Sequence, residues 1–207
     1  MHNKGVFLRN LLLGALAVGN GANGAEDPDA AFQKLVERTI KGDAAVDFRA
    51  LRIACLQASK CDPRGDNKDL LAVRQAFQAK NYTEAGEKAE NMIKRGFVNI
   101  RAHAIAAQAF GALGNTEKAK FHGGITSALI RSIMSSGDGK SLATAFEVIG
   151  TFEEYIAMEV LGLPPFGQQS LIAGAPHNCD RIEVTDPKSG AKVAIFFNID
   201  AFYPPKL

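Results

Sequence analysis

Lys80-Asn81-Tyr82-Thr83-Glu84-Ala85 and Gly114-Asn115-Thr116-Glu117-Lys118-Ala119 stand 34 residues apart and read as two copies of one turn. Each has Asn as a helix cap, Thr and Glu in the opening turn, and Ala one turn further on. Apolar spacing on either side predicts helices over 69–79 and 82–95 around the first turn, and over 99–113 and 116–135 around the second. Such hairpins bury one face by stacking on a neighbour and leave another free, which makes a groove for a partner.

A 34-residue period is that of tetratricopeptide repeats. Ala85, Ala107 and Ala119 resemble the small residues of those repeats, where two helices approach closely. Identities outside the turn are few and the usual aromatic and Pro positions are missing, which leaves an ordinary stack of α-hairpins as the alternative. Upstream, Asp27 caps and Pro28 opens a helix whose Phe32, Leu35, Val36 and Ile40 recur at helical spacing until Gly42. A second helix is expected over 48–59, ended by Asp62-Pro63-Arg64-Gly65-Asp66. Downstream, Leu142, Phe146, Ile149, Ile156 and Val160 form one stripe of a last long helix over 141–161.

The pattern changes after Pro164-Pro165. Residues 163–178 read as a loop, and residues 179–201 as a β-hairpin. Its strands are Arg181-Ile182-Glu183-Val184-Thr185 and Lys192 to Ile199, joined by the turn chemistry of Asp186-Pro187-Lys188-Ser189-Gly190. A two-stranded ribbon is marginal in water and has to lie against the helices. The expected fold is therefore mainly α: a tetratricopeptide-like stack of antiparallel helical hairpins over 26–162, with a C-terminal β-hairpin packed on it in a single domain, 26–207.

Residues 1–25 read as a signal peptide: Lys4 and Arg9, then the apolar Leu11 to Val18, then Ala22-Asn23-Gly24-Ala25 for cleavage. The apolar run is too short to span a bilayer, so the processed chain is expected to be exported, periplasmic or secreted, without a transmembrane span. The chain's 24 Lys plus Arg, less the leader's two, leave 22 against 22 Asp plus Glu. That balance gives no reason to expect nucleic acid or anionic lipid, and a protein or peptide of the envelope is the expected partner. An oxidising compartment permits a disulfide, for which Cys55 and Cys61 are the candidates across a helix end. Cys179 is left over and reads as a buried thiol.

Several apparent motifs fail on inspection. Gly139-Lys140-Ser141 ends like a phosphate-binding loop, but Met134 stands where its first Gly belongs, and the segment follows a helix. Ser136-Gly137-Asp138-Gly139 reads as a helix stop, with Gly137 or Gly139 left-handed and Asp138 or Ser141 capping the next helix. His103 and His122, mirrored about Asn115, come out five residues or about 7 Å apart along the axis, too far for one metal. His177-Asn178-Cys179-Asp180 lacks a partner pair at ligand spacing, and no metal or other cofactor is expected.

Glu153 is the sharper anomaly, because it falls in the middle of the apolar stripe while Glu154 points away with Glu147. A carboxylate on a core face needs a partner, and His122, on the face of Ile125, Leu129 and Ile133, is the candidate. Asp138 and Asp180 could join them, and such a cluster is expected to shift pKa values. A satisfied structural ion pair is the alternative.

Ser136-Gly137-Asp138-Gly139, Thr144-Ala145-Phe146-Glu147-Val148-Ile149, Glu153-Glu154-Tyr155, Gln169, Cys179-Asp180 and Phe196-Phe197-Asn198-Ile199 together resemble an uncharacterised bacterial family of small exported proteins, a domain of unknown function. The resemblance is strongest from about His122 to Ile199, and it carries no activity, cofactor or catalytic residue. Two functions stay open. One is an envelope module that binds protein or peptide in its helical groove. The other is a small hydrolase or ligand-binding protein with Glu153 as general acid or base, His122 as its partner and Asp138 or Asp180 as orienter; Ser136 and Cys179 would need an imidazole within reach to serve as nucleophile.

Overall fold

The structure, a computed structural model, describes residues 26–174 and 176–204; the leader assigned to residues 1–25 lies outside them. Six helices come first: α1 (Pro28–Ile40), α2 (Phe48–Gln57), α3 (Asn67–Gln78), α4 (Tyr82–Arg95), α5 (Ile100–Ala112) and α6 (Thr116–Met134). Polar caps start each of them, with Asp27, Asp47, Asp66, Asn81, Asn99 and Asn115 accepting from backbone N–H groups of the first turn.

The two quoted turns fold alike, bond for bond. Lys80 and Gly114 both have positive φ, 58° and 76°. Asn81 N–H donates to the Ala76 carbonyl at 2.9 Å, and Asn115 N–H to the Phe110 carbonyl at 2.8 Å. Small residues then let the helices close up. Gly111 lies against Ala119 and Gly123 against Ala107, so α5 and α6 are mirrored about Asn115 as the sequence implies. Helices α3, α4, α5 and α6 pack each on the next, α3 also touches α5, and α2 reaches across to α6.

The segment 141–161 departs from the expected long helix. It holds a short 3-10 turn (Leu142–Thr144), a two-residue strand β1 (Phe146–Glu147), and only then α7 (Thr151–Val160). Gly150, with an extended backbone, marks the start of α7, and β-branched Val148 and Ile149 precede it. The apolar spacing is helical, but Phe146 and Glu147 are taken by pairing alongside Phe197 and Asn198. Gly139 is the left-handed glycine of the preceding turn (φ 68°); a Cβ there would strike the Phe146 ring, and its carbonyl accepts from Phe196 N–H at 2.9 Å.

The expected loop 163–178 also gains structure, for Gln168–Ile172 forms β2. With β3 (Cys179–Thr185) and β4 (Lys192–Asn198) it completes a four-stranded sheet in the order β1-β4-β3-β2, antiparallel except for β1 on β4. The hairpin is thus the centre of a small sheet. Pairing on both sides supplies the stability that an isolated ribbon lacks.

One apolar core runs from Phe32 and Leu51 through Val98 and Leu129 to Ile182, Phe197 and Ile199. Cys55 and Cys61 are bridged, as their spacing suggested, with Cα atoms 5.3 Å apart. No helix among the described residues is long and apolar enough to cross a membrane.

Lys80 occupies a conformation that costs an L-residue about 1–2 kcal/mol, against which glycine loses about 0.4–1 kcal/mol through the unfolded chain. Lys80→Gly should therefore stabilise the protein by about 0.5–1 kcal/mol in urea denaturation.

Candidate functional site

Glu153 is fully buried, and its partner is Arg52 of α2. Arg52 Nε donates to Oε1 at 2.9 Å and Nη2 to Oε2 at 2.6 Å, while Ile149 N–H gives Oε2 a third bond at 2.9 Å. The rest of the guanidinium is used as well, Nη2 on the Glu147 carbonyl at 2.7 Å and Nη1 on Ser132 Oγ at 3.1 Å. A forked cation matches both oxygens of a carboxylate in a way that an imidazole does not. The expected His122 partnership is absent, and no oxygen of Glu153 remains for proton transfer. Arg52 escaped the sequence reading although the signal was there, a cation beside Leu51 and Cys55 on a buried face.

Glu154 does not point to solvent as expected; it too is fully buried. It meets Asp180, which stands with Ile182 and Val184 on the inner face of β3 and takes a hydrogen bond from Gln169 Nε2 at 2.8 Å. Burial first, and then the neighbouring Asp180 charge, push the Glu154 carboxyl up to about 8. Neither Glu154 oxygen has a hydrogen-bond partner among the described residues, so the buried carboxyl is held in its neutral form beside the Asp180 charge. Asp138 joins neither group. It is exposed, accepts from Thr144 Oγ1 at 2.6 Å and from Lys140 N–H at 3.0 Å, and is held below the usual carboxylate range mainly by Thr144.

His122 pairs instead with His103, their Nδ1 atoms 3.0 Å apart. The axial register matches the count from the sequence; two imidazoles aimed at each other span the offset that backbone counting made too large. His103 Nε2 lies 2.8 Å from the Phe97 carbonyl, which can only accept, so Nε2 carries the proton. Burial lowers the His103 pKa to about 3, so the ring is neutral and its Nδ1 accepts. His122 must then donate from Nδ1, which leaves its Nε2 a bare lone pair. Burial lowers His122 as well, against the pull of Glu90, whose Oε1 is 3.8 Å from Nε2 and 2.7 Å from Lys118 Nζ. Among the described residues no three His, Cys, Asp or Glu side chains gather as a metal site would need.

The possible nucleophiles are committed elsewhere. Ser136 Oγ donates to the Ile133 carbonyl and accepts from Glu147 N–H. Cys179 is buried, with its thiol pushed up by desolvation. His177 is tied to Asp200 at 2.8 Å.

A different surface carries an unbalanced charge. The first turns of α3, α5 and α7 converge on a hollow of about 360 Å³ walled by Phe152, Tyr155 and Phe166 and flanked by Arg64, Arg74 and Arg101. Arg74 and Arg101 continue into a second hollow between α3 and α5, of about 370 Å³, with Phe77, Gln78, Ile105 and Gln108. Among the described residues no carboxylate lines either one. Glu159 reaches Arg101 at 2.7 Å from outside. The three arginines lie in separate segments, so no local pattern announced them.

The class these features define is a helical scaffold with a small sheet and an arginine-flanked groove. The chain belongs to the family described as Domain of unknown function (DUF4919), whose model matches residues 25–204. No curated protein and no solved structure matches it.

Two stability measurements address the buried charges. Glu153→Gln should cost about 3–5 kcal/mol in urea denaturation by leaving Arg52 without its counter-charge, with much of the loss recovered in the apolar pair Arg52→Met/Glu153→Leu. Glu154 binds its proton more tightly folded than unfolded, so its contribution is complete below about 4.5 and is lost as pH rises through about 8. Glu154→Gln should gain stability relative to the parent across that window; taking the difference removes the opposite trend of the two histidines, whose lowered pKa values weaken the fold in acid.

Proposed function

We propose that this protein is an exported binding module whose α3–α5 groove takes an acidic peptide segment of an envelope partner. The observation that carries the reading is the charge pattern, three guanidinium groups on a hollow without a lining carboxylate. Arginine forks suit carboxylates bidentately, and Phe152, Tyr155 and Phe166 offer apolar walls for neighbouring side chains. Helix N-termini add to the field: Asn67, Ile100 and Thr151 are the first residues of α3, α5 and α7, and α7 opens without a capping side chain.

The tetratricopeptide-like reading supports this placement, because the first helices of two successive hairpins, α3 and α5, would form the free face of such a stack. Export rests on the leader at 1–25 and accords with the Cys55–Cys61 bridge, a crosslink that oxidising compartments preserve. The processed chain, 26–207, would act as one body. The hydrolase alternative is weakened, since Glu153 has no free oxygen and lies apart from the His122 pair.

Fluorescence anisotropy with a fluorescein-labelled Asp-Glu-Phe-Asp-Glu-Phe peptide tests the reading. Affinity should fall at least about tenfold in Arg74→Glu, and should weaken with added salt as screened charges do. Equal binding of an Asn-Gln-Phe-Asn-Gln-Phe control, or an unchanged Arg74→Glu, would refute the proposal.

A further inference from the structure

We infer that the cleft between α1, α4 and α6 is a separate site for a small neutral molecule with an apolar or aromatic body and a hydroxyl group that donates to His122 Nε2. The cleft has a volume of about 350 Å³, within the range of small-molecule pockets, and Phe32, Val36, Ile93, Phe97 and Phe121 make most of its wall. His122, only 4 % exposed, is its buried polar group.

The ligand's chemistry is set by the hydrogen-bond chain behind the wall. The Phe97 carbonyl fixes the proton of His103, His103 fixes that of His122, and the bare Nε2 of His122 is left with no hydrogen-bonded partner in the protein. Its nearest charged neighbour is the Glu90 carboxylate at 3.8 Å, which brings no proton to share. A lone pair in so apolar a place calls for a donor. An anionic head is disfavoured by Glu90. A cationic head finds Glu90 already held by Lys118 at 2.7 Å, with the Lys94 ammonium also on the wall. A neutral hydroxyl meets neither penalty. The imidazole is itself held rigid, stacked on Phe110 and edge-on to Phe121, so the acceptor is preorganised.

This site is independent of the arginine groove and stands or falls separately. The probe is 2-naphthol, followed by its fluorescence on the full folded chain, against 2-methoxynaphthalene, which has the same rings and no donor. The hydroxyl compound should bind about tenfold more tightly. His122→Phe should abolish that preference while still binding the methoxy compound. If this variant does not fold, the ¹⁵N resonance of His122 Nε2 in the parent protein serves instead, and it should shift on addition of 2-naphthol. Equal affinities of the two probes, no saturable binding of 2-naphthol, or a ¹⁵N resonance unmoved at saturation would each overturn the inference.

Discussion

The buried Arg52–Glu153 pair is the constraint around which the two parts of the molecule are arranged. Desolvating two charges costs several kcal/mol per ion, and the pair is tolerable only because every polar atom of it is satisfied. The satisfying groups come from four places: α2 gives the guanidinium, α7 the carboxylate, α6 the Ser132 hydroxyl, and the β1 segment the Glu147 carbonyl and the Ile149 N–H. Sliding any one of these elements would orphan a buried charge. The pair thus sets how the helical layers and the sheet edge meet, whatever its net effect on stability.

Three buried polar assemblies show three different degrees of completion. Arg52 and Glu153 are saturated and closed. Glu154 is buried beside Asp180 with neither oxygen hydrogen-bonded among the described residues and is tolerated as the neutral acid, which makes the α7–β3 contact sensitive to pH. His103 and His122 are complete at one end and open at the other, where a lone pair faces an apolar cleft. Only the third has unused hydrogen-bonding capacity in contact with space for a ligand. The arginine groove lies elsewhere, on α3 and α5, and its charge is held at the surface, where among the described residues only Arg101 is met by a carboxylate, that of Glu159, from outside the hollow.

Much of the helical part was legible because its signals are local. Asp and Asn caps, helical spacing and the repeated turn lie within a few residues of one another, and they set the helices between 28 and 134 and the register of α5 on α6. The segment 141–161 misled because its apolar spacing suits a helix, while the force that makes β1 is pairing with residues some 50 positions later. Strand β2 was missed for the same reason, as it borrows its order from β3. Glu153 was correctly singled out as a buried charge, yet its partner was misassigned to the preceding helix when it lay 101 residues away.

The sequence by itself determined where the helices between 28 and 134 start and stop, that Cys55 and Cys61 are candidates for a bridge across a helix end, that two turns repeat at 34 residues, and that the chain resembles a family without an assigned activity. Tertiary structure alone decided who meets whom: Arg52 with Glu153, Glu154 with Asp180, His103 with His122, and three scattered arginines around one hollow. The physical reason is the range of the forces. Backbone capping and hydrophobic periodicity act over one or two turns, whereas the partner of a buried charge is chosen by packing among elements far apart in the chain.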